Sequence, residues 1–365
     1  MSPIPNQPQP LSVHTPLWPD AERHALFKGW FQTLQRTHSL DPDSVRLASA
    51  DASFRRYLRV DGETPNGKAS LIIMDAPPEK ENCKPFVEVA RLMTQAGLKV
   101  PEVLDWSEAH GFMLLTDLGA KTLMQVIDQQ GPPPLNLYLD AVDALVQWQL
   151  ASREGVLPVY DQPTLLREME LFAHWYVGEH RHFALNATDR KILDDAFSKI
   201  VANNLAWPSV YVHRDFMPRN LMVPADAAGH LGVLDFQDAV YGPITYDIAS
   251  LMRDAFLSWE EDFCLDVTIR YWQKARKAGL PVGDDFGEFY KGVEWMGLQR
   301  HLRIAGVFAR LTLRDGKPQY LADTPRFIGY LRATCSRYME LKPLLRLVER
   351  IEGIPVPHAY SFGKM

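Results

Sequence analysis

The chain has 365 residues, of which 46% are hydrophobic, 23% charged and 11% aromatic, enough for two lobes with substantial cores. Its 39 Lys+Arg against 45 Asp+Glu leave a formal charge of −6, the reverse of the basic surplus that duplex-binding proteins carry, so a nucleic-acid partner is not expected. No stretch approaches the roughly 18 uninterrupted apolar residues of a membrane-spanning helix, and the opening residues lack the basic start and apolar run of a secretory signal.

Cys83, Cys264 and Cys335 are odd in number, far apart and without a CxxC pair. They exclude a disulfide scaffold or a Cys-based zinc site and suit a reducing compartment, so a cytoplasmic protein without a membrane partner is expected.

Residues 1–19 hold six prolines and read as an arm. Asp20 can cap a helix through AERHALFKGWFQTLQRT, with Leu26, Trp30, Phe31 and Leu34 on one face. VRLASADASFRRYLRV predicts two strands around a tight connection, and KASLIIMDA a third after the Pro65-Asn66-Gly67 turn. CKPFVEVARLMTQA predicts a helix closed by Gly97 in the C′ position. VPEVLDW and GFMLLTD read as two further strands. The expected fold class is therefore α+β: a small lobe over residues 20–117 with a five-stranded, largely hairpin-connected sheet, then a mainly helical lobe over 118–365.

After Gly119 long segments carry apolar residues at helical spacing. The one interruption is residues 209–238, where SVYVHRDFMPRNLMV and HLGVLDFQD predict short apolar strands framing polar loops. That insertion holds H-x-D-x-x-x-x-N at His213, Asp215 and Asn220, followed by Asp235 at the end of the second apolar stretch. Phosphoryl transfer from ATP needs such a set: one carboxylate to orient the attacking hydroxyl and accept its proton, and a neutral oxygen and a second carboxylate to hold Mg²⁺ against phosphate. Asp215, Asn220 and Asp235 fit those roles in that order. A polar hairpin whose Asp and Asn cap turns would not need the whole set.

These segments resemble the kinases related to aminoglycoside phosphotransferases and choline kinase, which share the bilobal protein-kinase-like fold. DASFRRYLRV, LIIMDAPPE, LLTDLG, VHRDFMPRNLMV and LDFQDAVYGPITYDIASLMRDAF are more closely similar to one branch, the bacterial anomeric kinases for N-acetylmuramate and N-acetylglucosamine. The resemblance implies an ATP- and Mg²⁺-dependent kinase that forms amino-sugar 1-phosphates in peptidoglycan recycling. It also implies that His213 braces the loop of the base Asp215, that Asn220 and Asp235 are the metal ligands, and that Asp247 ties the following helix to that loop. Asp247 reads equally well as a plain helix cap.

The nucleotide side departs from the family pattern. There is no G-x-G-x-x-G, and the third strand reads Ile72-Ile73-Met74-Asp75 where a Lys is usual. Ser53, Phe54 and backbone amides of the loop are left to meet phosphate, Arg56 or Arg59 to supply the missing charge, and the backbone of Leu115 to Leu118, Thr116 and Leu118 in particular, to face adenine as the resemblance implies. Arg55, Arg56 and Arg59 read equally well as a solvated strand face, and Glu88 is a weak choice for the partner of such a cation. Arg219, Gln237, Tyr241, Arg253 and Asp254 are candidates for the sugar site. The alternatives left open are the same chemistry on an aminoglycoside or choline-like amine, and a nucleotide-binding pseudokinase.

His174, His180 and His182 lack the spacing of a helical zinc site.

Overall fold

The computed structural model describes residues 18, 20–50, 54–64, 67–224 and 229–355. The arm over 1–19, apart from Trp18, lies outside the described residues, as do Ser53 and the Pro65-Asn66 turn. The chain divides into two units, one formed by the residues up to Pro132 with Pro218–Ala239, the other by Pro133–Met217 with the residues from Val240 on.

The first unit opens with α1 (Ala21–Gln35), capped by Asp20, whose carboxylate accepts from the Glu22 and Arg23 N–H groups. Phe27, Trp30, Phe31 and Leu34 are its buried face. Leu26 is 38% exposed instead of buried, because at about 100° per residue it falls roughly 95° from the centre of that stripe.

Strands β1 (Arg46–Ala50), β2 (Arg56–Thr64), β3 (Gly67–Asp75), β4 (Val103–Ser107) and β5 (Phe112–Thr116) form the expected antiparallel sheet, in the order β1-β2-β3-β5-β4. Alternation puts Leu58, Val60, Leu71, Ile73, Phe112 and Leu114 on one face, packed against the aromatic stripe of α1. Each large side chain buried there is worth about 1.5–3 kcal/mol.

The same alternation carries Arg56 to the α1 side. There it shares the buried Asp75, its cross-strand partner, with Arg23, whose Nε and Nη2 donate at 2.9 and 2.7 Å. Helix α2 (Lys84–Gln95) ends as predicted at Gly97, which has φ +82°; Gly97 N–H reaches Thr94 O and Leu98 N–H reaches Met93 O, satisfying the last carbonyls. This unit also holds the short helix α3 (Leu123–Val126) and a two-residue hairpin, β7 (Leu221–Met222) with β8 (Gly232–Val233).

The second unit is mainly helical: α4 (Leu135–Leu150), α5 (Gln162–Leu171), α6 (Ala187–Leu205), α7 (Thr245–Met252), α8 (Glu261–Lys277), α9 (Phe286–Leu313), α10 (Thr324–Arg337) and α11 (Lys342–Ile351). α5 runs on as a π-helical segment, Phe172–His180, where one continuous α-helix is expected from the sequence. α9 is the central element, packed against α5, the π-helical segment, α6, α7, α8 and α10. A two-stranded sheet pairs β6 (Ser209–Val212) with β9 (Val240–Pro243). β9 is not among the predicted strands.

Candidate active site

In the second unit β6 delivers the loop that begins at His213. The His213 ring is buried, its Nδ1 accepts from the Asp215 N–H at 3.2 Å, and it lies edge-on to Phe216. Asp247, in the first turn of α7 and fully buried, accepts the N–H groups of His213 at 2.7 Å and Arg214 at 3.0 Å. It is therefore the tie between helix and loop, while the helix cap position belongs to Ile244. Burial pushes the Asp247 carboxyl up, with His213 and the two backbone amides opposing.

Arg214 is left-handed, with φ +78°, a costly conformation for a long side chain. Its guanidinium ion-pairs with the buried Glu168 of α5, which also receives Tyr160 Oη and Gln299 Nε2. Asp215 follows, its side chain 29% exposed. Burial pushes that carboxyl up, but Arg303, Arg300, Arg214 and His213 more than reverse it, leaving it below its ordinary value.

In the first unit the β7–β8 hairpin brings Asn220 and Asp235 together. Leu221 pairs with Val233, and Leu234 N–H reaches Asn220 O at 2.9 Å, so Asn220 stands one step and Asp235 two steps beyond the paired register. Asn220 Nδ2 lies 3.4 Å from Asp235 Oδ2. Asp235 is exposed and left-handed, φ +62°, which an Asp tolerates better than most residues. Gln237 Nε2 donates to its other oxygen at 2.9 Å, and the next residue, Phe236, is buried against Phe86 of α2. A neutral amide oxygen and an exposed carboxylate are hard donors of the kind Mg²⁺ takes alongside water and phosphate, so the residues present fit that ion. Among the described residues no cluster of three or more His, Cys, Asp or Glu side chains forms a self-sufficient metal cage, the histidines at 174, 180 and 182 included.

Arg55 is a cation that acts on Asp235 electrostatically. It is buried just before β2, 3.2 Å from Glu81, whose carboxylate also accepts the Phe54 N–H. Burial lowers the Arg55 pKa, but Tyr57, Glu81, Cys83 and Asp235 outweigh it and raise it overall. Arg56 is engaged with Asp75. Arg59 is held by both oxygens of Asp117 and by Gly119 O. Glu88 is exposed on α2. Phe54 is 62% exposed with Lys80 Nζ 5.0 Å from its ring centre. Thr116 exchanges hydrogen bonds with Glu102, its N–H to Glu102 O and its Oγ1 from Glu102 N–H, and Leu118 packs where a Cβ on Gly232 would sit.

Residues 44–285 match the phosphotransferase enzyme family. The chain belongs to that family. It is 47% identical over 334 residues to the N-acetylmuramate/N-acetylglucosamine kinase of Neisseria meningitidis serogroup B, covering 91% of this chain and 97% of that one. It is 42% identical over 333 residues to the enzyme of the same name from Pseudomonas aeruginosa, covering 91% and 94%. Among solved structures, the choline kinase of Streptococcus pneumoniae superposes with TM-score 0.58 at 12% identity over 85% of this chain and 99% of its own. An ADP-bound aminoglycoside phosphotransferase superposes with TM-score 0.55 at 14% identity over 85% and 97%. The chain is a phosphotransferase enzyme with the fold of those kinases.

The sugar candidates of this phosphotransferase fall in different places. Arg219 and Gln237 belong to the first unit; Tyr241, Arg253 and Asp254 belong to the second. Tyr241 is half-buried in β9, with its backbone paired to Pro158 O and Tyr160 N. Arg253 is gripped by both oxygens of Glu261 at 2.9 Å and by Tyr290 Oη, within a network that also takes in Arg337 and Glu294. Asp254 is buried, with Oδ1 accepting from Phe256 N–H.

Sequence reasoning missed Arg55, taken as part of a solvated face, and the Glu168, Arg300 and Arg303 group. A polar run in the apolar α9, Gln299-Arg300-His301, was the available signal.

Proposed function

We propose that the enzyme transfers the γ-phosphoryl group of ATP to the anomeric hydroxyl of N-acetylmuramate or N-acetylglucosamine, giving ADP and the sugar 1-phosphate. The observation that carries this reading is identity of 42–47% over nine-tenths of the chain to kinases of that name. The His213–Asp215 loop of the second unit and the Asn220–Asp235 pair of the first, each held by hydrogen bonds within its own unit, support it.

In this reading Asp215 orients the sugar hydroxyl and accepts its proton as the bond to phosphorus forms and the bond to the ADP oxygen breaks. An anomeric hydroxyl is more acidic than an ordinary alcohol, so a carboxylate kept weakly basic by Arg303, Arg300 and Arg214 suffices. His213 and Asp247 fix the backbone that presents it. Asn220 and Asp235 would hold Mg²⁺, which when bound neutralises charge on the phosphate oxygens. Arg55, steadied by Glu81, supplies the positive charge beside Asp235 that the third strand lacks. Arg219, Gln237, Tyr241, Arg253 and Asp254 remain the residues to probe for sugar recognition.

The test is incubation with ATP, Mg²⁺ and, separately, N-acetylmuramate, N-acetylglucosamine, kanamycin and choline, with the product read by phosphorus NMR. A sugar 1-phosphate signal, absent with Asp215→Asn, is expected. Phosphate on kanamycin or choline, or nucleotide binding with no transfer, would overturn the substrate or the activity respectively.

A further inference from the structure

Three elements converge on the residue that precedes the proposed base. Asp247 of α7 takes the Arg214 N–H, Glu168 of α5 takes its guanidinium, and Arg300 of α9 donates from Nη1 to its carbonyl oxygen. Arg214 is thereby held at φ +78°, a conformation it would leave if these contacts were lost. Of the three, Arg300 alone also faces Asp215. It is 1% exposed, its guanidinium lies 4.8 Å over the Tyr246 ring, and its Nη2 stands 3.9 Å from Asp215 Oδ1.

That Nη2 has no hydrogen-bond partner among the described residues, although it is buried. An unsatisfied buried guanidinium nitrogen costs free energy, which a structural contact alone would not require. Arg303, one turn further along α9, also lowers the Asp215 pKa, but its side chain bonds Tyr246 Oη at 3.3 Å and ion-pairs with Glu168 at 3.6 Å, and the Arg214 carbonyl is taken by Arg300.

We propose that Arg300 is a positioning residue for the Asp215 base: Nη1 locks the preceding carbonyl, and Nη2 backs one carboxylate oxygen, so that the other is turned toward the acceptor hydroxyl. The proposal rests on the reading of Asp215 given above. No proton passes through Arg300. It remains a cation throughout, and its effect is on the orientation of the carboxylate. A planar fork is suited to this because the two nitrogens serve two acceptors at fixed spacing, which a lysine ammonium cannot reproduce.

The test measures ADP release with N-acetylglucosamine and with N-acetylmuramate for Arg300→Ala, Arg300→Lys and Asp215→Asn, beside ATP binding by thermal shift. Misplacing a reacting group by about an ångström costs on the order of 100-fold, so Arg300→Ala is expected to lose roughly that much kcat while the KM for ATP stays near wild type. Low-millimolar guanidinium, against sodium chloride at equal ionic strength, is expected to restore part of the rate in Arg300→Ala and none in Asp215→Asn.

Arg300→Lys keeps the buried charge and loses the fork; with the fold intact it is expected to lose about 10-fold in kcat, and it decides the matter if the alanine variant does not fold. Wild-type kcat in Arg300→Lys, or a loss in Arg300→Ala that follows the folded fraction and ignores guanidinium, overturns the positioning role while an inactive Asp215→Asn leaves the base assignment standing. Wild-type turnover in Asp215→Asn overturns the base assignment and this role with it.

Discussion

The Arg55 guanidinium lies 3.2 Å from Glu81, a pair formed between the residue just before β2 and the turn that precedes α2, and both side chains are largely buried. A buried cation tied to one carboxylate and felt by a second, Asp235, is placed for a phosphate-bearing ligand. Arg55→Met is expected to raise the KM for ATP by roughly 10- to 100-fold, in keeping with a charge-assisted contact worth about 1.5–3 kcal/mol. Arg55→Lys should recover part of that loss. Glu81→Gln, which removes one of the charges that hold the cation, should have a smaller effect. Initial rates against ATP concentration check all three, and an unchanged KM in Arg55→Met would move the role to another group.

Asp235 and Asn220 touch at 3.4 Å across the end of their hairpin, one offering a charged oxygen and the other a neutral one. Asp235→Asn removes the charge and keeps the shape, so the Mg²⁺ concentration for half-maximal rate should rise at least 10-fold, a carboxylate being the stronger ligand for a hard cation. Thermal unfolding without metal should be nearly unchanged, because the Asp235 side chain is exposed. Titrating activity with MgCl₂ measures the shift. Wild-type metal dependence in this variant would sink the ligand assignment.

His301 supplies a pH dependence of stability. Its Nε2 donates to the Arg253 carbonyl at 3.1 Å, and its buried Nδ1 has no partner among the described residues. Burial, with Arg300 and Arg253 nearby, holds its pKa down at about 3, against about 6.5 in an unfolded chain. The unfolded state therefore takes up a proton below about pH 6.5 that the folded state refuses, so this contribution is complete above pH 6.5 and drains away as pH falls toward 3. The slope is about 1.4 kcal/mol per pH unit, giving about 2 kcal/mol between pH 6.5 and 5. His301→Gln keeps an N–H donor and does not titrate, so its urea midpoint should fall less over that interval. Equal slopes for both proteins would show that His301 is not buried in its neutral form.

Much of this architecture is legible in the chain because it is written in local patterns. The alternation in RYLRV and LIIMD specifies two strands, Asp20 and Gly97 mark helix ends, and the spacing from His213 to Asn220 and on to Asp235 marks two loops between apolar strands. What is not legible depends on residues distant in sequence. Arg300 reaches a carbonyl 86 positions earlier; the polar run Gln299-Arg300-His301 in an apolar helix marks the place, but nothing local names its partner. Arg55 sits beside Arg56 and Arg59, and the three read as one face. The fold gives them separate partners, Glu81, Asp75 and Asp117. β9 is missed because its first two residues, Val240 and Tyr241, are followed by Gly242-Pro243, a pair that locally reads as a turn, and its pairing with β6 makes it a strand.

Two glycines in long helices should respond oppositely to the same substitution. Gly306 lies where α9 crosses the junction of α5 and its π-helical extension. A Cβ there would sit 2.6 Å from Phe172 N and closer still to the Leu171 carbonyl group. Those are backbone atoms, which cannot swing aside, so the helices would have to separate. Gly329, within α10, has nothing within 4 Å of its added Cβ. Alanine at either site gains about 1 kcal/mol of helix propensity. At Gly306 overpacking costs typically 1–3 kcal/mol and more where backbone must move, so Gly306→Ala should be destabilised by about 2 kcal/mol net. Gly329→Ala should be stabilised by up to about 1 kcal/mol. Urea denaturation of both variants beside the wild type gives the two signs. A stabilised Gly306→Ala would mean that α9 and α5 do not approach as closely as their backbones indicate.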